Sequence, residues 1–352
     1  MRIIATASSL LLAAVVASLG VTSAGARGYA QPKVVTTKGA IEALALDGRR
    51  VAYDLEAREL GCNTVHVREL HSGKDVVVSG AGTCEADSTS TGAGVRELAL
   101  GGARVAWIVN LGGNTESADT LYTAVAGATK ETKLAQALRT GDVDGELVGD
   151  WLGNLAGDGR LIVLNRWQTL ADGAQDGQQL VRAAAGLTSV HFGPGALTVR
   201  SADSGRVAIH NGRSVVVRTS AGALVTSFQP AAAVRDVALR KDFVVVLTAT
   251  PALEVHHALT GALVKTLPAP AGARSLDVHA NIATFAVGKA IRAVRLATGA
   301  QATIATTPKA LVDVQIDDAG VVYAYNPTTG VKGVGKLVFL PLSLVQAKLG
   351  SP

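Results

Sequence analysis

The chain has 352 residues, with 33 lysines and arginines against 28 aspartates and glutamates, a formal net charge of +5. Over that length, with no basic run and no basic stripe interleaved with aromatics, the excess gives no support to nucleic-acid binding. Aromatic residues make up 4% and apolar residues 48%, supplied mainly by Val, Ala and Leu; with 39 glycines as punctuation, strands and turns are favoured over helices.

The N-terminus reads as a cleaved secretory signal over residues 1–26. Arg2 precedes an apolar run over 3–19, and Ala24-Gly25-Ala26 has the small-x-small form of a cleavage site. The run is short for a membrane span, and no later stretch approaches the roughly 18 uninterrupted apolar residues a span requires. The expected location is therefore secreted or extracytoplasmic, with no membrane span in the mature chain. Both cysteines, Cys62 and Cys84, fall in the mature part, where an oxidising compartment lets them pair. Such a bridge would contribute on the order of 3 kcal/mol by restricting the unfolded chain.

From residue 27 to 352 the chain reads as one domain of short strands. Residues 34–37 are a strand expected to complete the last blade of a ring. The pairs of strands that follow occupy 43–56 and 64–78, then 95–110 and 121–135, then 146–167 and 178–190. From 196 onward the pattern becomes regular: 196–228, 234–267, 274–306, and finally 311–325 with 336–345. Its clearest mark is a Thr/Ser-Gly type turn before the last strand of each copy, with Gly222, Gly261 and Gly299 at separations of 39 and 38 residues. Four strands repeated at about 40 residues are the signature of β-propeller blades. The second strands, anchored at Val51, Val105, Leu161, Val207, Val244, Ile282 and Val321, predict an all-β propeller of seven four-stranded blades closed by the N-terminal strand.

These repeats resemble the secreted bacterial β-propellers of the WD-repeat-like and quinoprotein-like kind, through the strand, T/S-G turn, strand element. The Trp-Asp dipeptide of WD repeats is absent and no tryptophan recurs at the blade period. The resemblance therefore implies fold, secretion and a tendency to bind, with no functional residue carried over.

The anchor gaps are 54, 56 and 46 residues in the first half and 37 to 39 in the second. The extra residues are expected as loops at 57–63, 79–94, 111–119, 139–145 and 168–177. Propeller topology places all five on the face where each blade's first strand begins, here called the top. Cys62 and Cys84 share that face, a second argument for their pairing. The loops carry Asn114, Glu116, Asp119, Asp142, Asp144, Asp172 and Asp176, with Trp151 and Trp167 at the edge, and these nine residues are the candidate ligand-binding set. Turn geometry selects the same polar residue types, and the two readings stand side by side.

Catalytic signals are absent. The seven histidines show no zinc spacing, Asp142-Val143-Asp144-Gly145-Glu146 lacks the remaining ligands of a calcium loop, and there is no G-x-S-x-G elbow or phosphate-binding glycine motif. No metal, cofactor or catalytic residue is assigned. The expectation is a monomeric, non-catalytic scaffold that binds a protein or a cell-envelope polymer through the top-face loops. The alternative is a glycan-directed hydrolase or lyase using carboxylates such as Asp54, Glu56, Asp150 or Asp313.

Overall fold

In the computed structural model the described residues are 31–56, 63–79, 92–113, 116–141, 147–159, 161–183, 186–193, 197–329 and 333–350. The first strand is β1 (Lys33–Thr36). Next come β2 (Leu44–Asp47), β3 (Arg50–Leu55), β4 (Thr64–Glu69) and β5 (Asp75–Val77), which form a four-stranded sheet. The chain continues as β6 (Gly92–Gly101), β7 (Arg104–Gly112), β8 (Glu116–Val125), β9 (Glu131–Gly141), β10 (Leu147–Asp158), β11 (Leu161–Thr169), β12 (Gln175–Ala183) and β13 (Leu187–Gly193), paired in sequence order as one eight-stranded sheet. Three four-stranded sheets follow: β14 (Thr198–Asp203), β15 (Arg206–His210), β16 (Val215–Thr219) and β17 (Leu224–Phe228); β18 (Val234–Arg240), β19 (Phe243–Thr248), β20 (Ala252–His257) and β21 (Leu263–Pro268); β22 (Ala273–His279), β23 (Ile282–Val287), β24 (Ala290–Arg295) and β25 (Gln301–Thr306). The last is β26 (Leu311–Asp317), β27 (Gly320–Thr328) and β28 (Val334–Pro341), to whose outer edge β1 adds, Lys33 facing Phe339 and Thr36 facing Lys336.

The strands β2, β6, β10, β14, β18, β22 and β26 each pack on the next, and β26 packs on β2. They surround an axial cavity, and the molecule has a propeller arrangement. The chain alternates between this inner layer and outer strands through antiparallel hairpins, so each inner strand starts at the top and turns back at the bottom.

The second strands are near-continuous apolar runs, such as Val105-Ala106-Trp107-Ile108-Val109 in β7 and Val244-Val245-Val246-Leu247 in β19, because both faces of these strands are covered. The core is consequently distributed between neighbouring sheets. One layer joins Val245, Leu247, Leu253 and Val255 of one sheet to Leu276, Val278, Phe285 and Val294 of the next. Each such buried side chain contributes roughly 1.5–3 kcal/mol. The turn glycines Gly222 and Gly261 adopt φ of 89° and 71°, a backbone region that favours glycine.

Three expectations are corrected. Seven separate four-stranded sheets were expected; among the described residues there are five, with one sheet of eight strands. The join is the pairing of β9 with β10, Gly141 facing Leu147, Thr140 facing Val148 and Arg139 facing Gly149. Gly149 permits it: its φ is 134°, and a Cβ there would fall 2.4 Å from the Leu138 carbonyl oxygen. Second, the insertions expected as loops at 111–119, 139–145 and 168–177 are largely spent on longer strands. β7 and β8 run to Gly112 and from Glu116, β9 reaches Gly141, and β11 and β12 leave only a tight turn between Thr169 and Gln175. Third, the final strand ends at Pro341, and α1 (Leu342–Lys348) follows, laying Val345 and Leu349 on the last core layer. Residues at spacings of three and four make one helical face, whereas a strand would have split them.

Candidate functional site

The axial cavity has a volume of about 790 Å³ and is walled by the inner strands. An inner strand has one edge with no ladder partner, so its N–H groups on that edge need other acceptors. Side chains of the preceding inner strand supply them. Glu97 accepts from Leu155 N–H (2.6 Å), Ser201 from Leu239 (3.0 Å), Asp236 from Leu276 (2.9 Å), Asp277 from Ile316 (2.8 Å) and Gln315 from Leu46 (2.6 Å). Burial pushes the Asp277 carboxyl up to about 7 against the opposing effect of the Ile316 and Val278 amides, and burial likewise raises Asp236 and Asp313.

At the bottom a second tier uses the aspartates that end four of the inner strands, β2, β10, β14 and β26. Asp317 accepts the Gly48 N–H (2.6 Å), Asp47 those of Gly102 (2.6 Å) and Gly159 (3.1 Å), Asp158 that of Ser204 (2.6 Å), and Asp203 that of Lys241 (2.5 Å). Arg240 spans this end, reaching Asp203 and Asp317 at 3.1 Å each. The carboxylates at the bottom are thus engaged by the chain's own amides and by Arg240.

The top differs. Five inner strands carry a register irregularity in their first half, after Val95, Val199, Val234, Arg274 and Leu311, and β10 carries one at its middle, after Gly153. A bulge re-aims a side chain and interrupts the alternation of faces. Four arginines lie at these irregularities, Arg96, Arg200, Arg235 and Arg274; all four are exposed and line the cavity. Arg96 donates to the Leu152 carbonyl and lies 3.6 Å from Asp119; Arg200 lies 3.5 Å from Asp236; Arg274 donates to the Leu311 and Val312 carbonyls. Arg235 has no hydrogen-bond or ion-pair partner among the described residues.

On the side of the eight-stranded sheet an aromatic cluster lies beside Arg96. Trp151 and Trp167 face each other across β10 and β11, stacked with ring centres 5.9 Å apart and planes 3° from parallel. Arg139 is buried, its guanidinium carbon 3.7 Å from the Trp151 ring centre, and it donates to Asp119 at 2.5 and 3.1 Å and to Ser117 at 2.8 Å. A Cβ on Gly153 would lie 3.1 Å from both Arg96 Nη2 and Trp167 Cη2, so the absent side chain leaves room for the aromatic pair and the cavity mouth to meet.

Of the nine residues selected from sequence, Trp151, Trp167 and Asp119 come together in this cluster. Asp119 lies on β8, fully buried, where a loop position was expected. Glu116 is exposed at the start of β8. Asp172 is exposed in the turn before β12, accepting the Ala174 N–H, and Asp176 is exposed on β12. Asn114, Asp142, Asp144, Cys62 and Cys84 lie outside the described residues. Among the candidate acids, Asp54 accepts the N–H groups of Glu42 and Ala43 and the Asn63 amide, and burial pushes it up to about 7. Asp150 pairs with Arg166 at 2.6 Å, and Asp313 accepts from Gln315. Glu56 ends β3's hairpin with its N–H bonded to the Ala40 carbonyl. Among the described residues no three His, Cys, Asp or Glu side chains are grouped to hold a metal ion, and no helix is long and apolar enough to cross a membrane.

Sequence reasoning missed the arginines. Their signal is a second short repeat at the head of the inner strands: Val95-Arg96-Glu97, Val199-Arg200-Ser201, Val234-Arg235-Asp236 and Ala273-Arg274-Ser275.

Neither a protein-family model nor a curated protein sequence matches the chain. Solved structures do. A chain of the Mitotic Checkpoint Complex aligns over 97% of this chain and 99% of its own, with 15% identity and a TM-score of 0.54. The computationally designed Ika8 protein aligns over 86% and 97% (16% identity, TM-score 0.49), and BamB from Moraxella catarrhalis over 86% and 84% (11% identity, TM-score 0.46). At this identity the first likeness shows the fold alone: a β-propeller.

Proposed function

We propose that the chain is a secreted, non-catalytic β-propeller that binds a protein or cell-envelope ligand across its top face, centred on the cavity mouth beside β8, β10 and β11. In this reading the eight-stranded sheet counts as two blades that share a ladder, giving seven blades around the axis, and β1 closes the ring on β28. The mature chain begins after Ala26, carries the Cys62 to Cys84 bridge and acts as a monomer. Glu116, Asp172 and Asp176, with Asn114, Asp142 and Asp144, form the polar border of the binding surface.

One observation carries the reading: Trp167, stacked on Trp151, comes to the same point beside Gly153 as Arg96 of the cavity lining, which sets an aromatic surface next to a polar concavity. At the bottom of the same cavity the carboxylates are taken up by amides and by Arg240 of the chain itself, which leaves the top as the end with more side chains to offer. The carboxylates Asp54, Asp150 and Asp313 are engaged with amides or arginine.

The test is capture from a cell-envelope fraction by the mature protein and by Trp167→Ala, with folding checked by circular dichroism. Captured partners should be lost in the variant. Identical capture by both proteins would overturn the reading. Mass spectrometry of secreted material under non-reducing conditions checks the start of the mature chain and the bridge; two free thiols would remove the bridge from the proposal.

A further inference from the structure

The charge around the cavity mouth is not evenly distributed. Glu42 and Glu97 sit on the side of β2 and β6, Glu97 close to Trp167 around Gly153. Arg200, Arg235 and Arg274 sit on β14, β18 and β22, which are consecutive neighbours round the cavity. Each is exposed and borne at the same bulged start of its strand. The three side chains are poorly neutralised. Arg274 donates to the carbonyl oxygens of Leu311 and Val312 and to the Ser275 hydroxyl, neutral acceptors that leave its charge uncompensated. Arg235 has no partner among the described residues, and only Arg200 meets a carboxylate, Asp236, at 3.5 Å. The fold repeats this arginine where neither core packing nor ladder pairing demands it.

We infer that Arg200, Arg235 and Arg274 form a carboxylate-binding arc at the top of the cavity, and that its ligand is an acidic peptide segment of a partner protein. The inference rests on the top-face reading above and names the chemistry it recognises. Guanidinium groups grip carboxylates through paired N–H donors and stay charged at any physiological pH. The floor beneath the arc is acidic, with Asp236, Asp277 and Asp313 on the same and the next inner strands. The arginines stand on three separate inner strands, a spacing that single carboxylates on separate side chains can meet one at a time. The tryptophan pair across the mouth supplies an apolar surface for the rest of the segment.

The experiment is fluorescence anisotropy of a labelled oligoglutamate peptide titrated with the mature protein at low salt, against an oligoglutamine of the same length. Oligoglutamate should bind and oligoglutamine should not, with affinity falling as salt rises. Arg235→Gln should weaken binding about tenfold, the worth of one charge-assisted contact, and Arg200→Gln should weaken it similarly. Lys130→Gln, on the exposed turn between β8 and β9, should leave it unchanged. Arg235 is the deciding position because its replacement breaks no hydrogen bond or ion pair among the described residues, and circular dichroism of the variant separates loss of binding from loss of folding. Unchanged binding by Arg235→Gln and Arg200→Gln, or equal binding of oligoglutamine, overturns the inference. Tighter binding of inorganic polyphosphate, lost in the same variants, overturns the peptide assignment. If oligoglutamate fails while Trp167→Ala still abolishes partner capture, the arginine arc falls and the top-face reading stands.

Discussion

Arg139 holds Asp119 through both terminal nitrogens, at 2.5 and 3.1 Å, with both side chains shut off from solvent. Twenty positions apart in the chain, they meet because β8 and β9 are adjacent strands, and the pair sits where β9 joins β10. Asp119 also accepts the Leu152 N–H at 3.3 Å and the Asn110 amide at 2.8 Å, so one carboxylate touches four strands of the eight-stranded sheet. Removing one partner of a buried ion pair leaves an uncompensated charge, a loss of about 3–5 kcal/mol. Arg139→Met should therefore lower the unfolding free energy by that amount in a denaturant titration. The double replacement Asp119→Leu with Arg139→Met should recover part of it, because no charge of the pair remains buried, while the Leu152 N–H and the Asn110 amide lose an acceptor. A single variant within about 1 kcal/mol of the parent would show that the pair is not desolvated.

Stability should rise on mild acidification. Burial holds Asp54 and Asp277 at about 7, against the ordinary aspartate value of 3.8. A raised folded-state value means that folding takes up a proton. The resulting stability is complete below 3.8 and is lost as pH rises through about 7. Asp317 behaves oppositely: burial is outweighed by His279, the Gly48 and Asp318 amides and Arg240, which hold it at about 2. Its contribution is present above 3.8 and is lost as pH falls toward 2. Unfolding free energy should thus increase from pH about 7.5 to about 5, by on the order of 1–3 kcal/mol, then decline in stronger acid. Asp277→Asn, which keeps an acceptor for the Ile316 N–H, should flatten the first limb. A stability that falls steadily from neutral pH downward would contradict this assignment.

The propeller was legible because its signals are local. Gly222, Gly261 and Gly299 occupy left-handed turn positions, with φ of 89°, 71° and 78°, and the second strands announce themselves by unbroken apolar runs. Both kinds of signal depend on residues within a few positions of each other. The joined sheet is non-local: whether 139–149 forms a loop or a ladder depends on Arg139 finding Asp119, and on Gly149 tolerating the Leu138 carbonyl. The same reason misplaced Asp119, whose polar neighbours Glu116 and Ser117 suggest a loop until a buried arginine partner is known. Trp151 and Trp167 could be marked as notable, but their contact needs the register of β10 on β11. The arginine arc was readable as a repeat of three residues, though a bulge was required to turn those side chains to one mouth.

Gly149→Ala tests the join directly. A Cβ would lie 2.4 Å from the Leu138 oxygen and 3.1 Å from the Arg139 Cα, on a backbone at φ 134° that L side chains rarely adopt. Strain of this kind costs about 1–3 kcal/mol. The variant should be destabilised by about that amount, and amide exchange should accelerate across β9 and β10 while β18 to β25 remain protected. Uniform acceleration throughout the molecule would mean that the two halves of the eight-stranded sheet do not separate as independent units.

Removing the residues before Lys38 deletes β1 and should change the assembly state as well as the stability. β1 pairs four residues with β28, and Thr37 extends the contact: its N–H donates to the Gly335 carbonyl at 3.0 Å, and its hydroxyl accepts the Gly335 N–H at the same distance. Its own side chains are mostly exposed, so little apolar burial is lost with it. What is lost is edge protection. β28 carries Leu337, Val338, Phe339 and Leu340 and would present unpaired N–H and C=O groups along an apolar strand, the arrangement that recruits a second chain. The shortened protein should unfold at lower denaturant concentration and, in size-exclusion chromatography with light scattering, should show dimers or larger species that increase with concentration. Adding a synthetic peptide with the sequence of residues 31–38 in excess should return it to the parent's mass, because the peptide restores the missing strand. A shortened protein that keeps both the stability and the mass of the parent would show that β1 contributes nothing beyond its four ladder pairs.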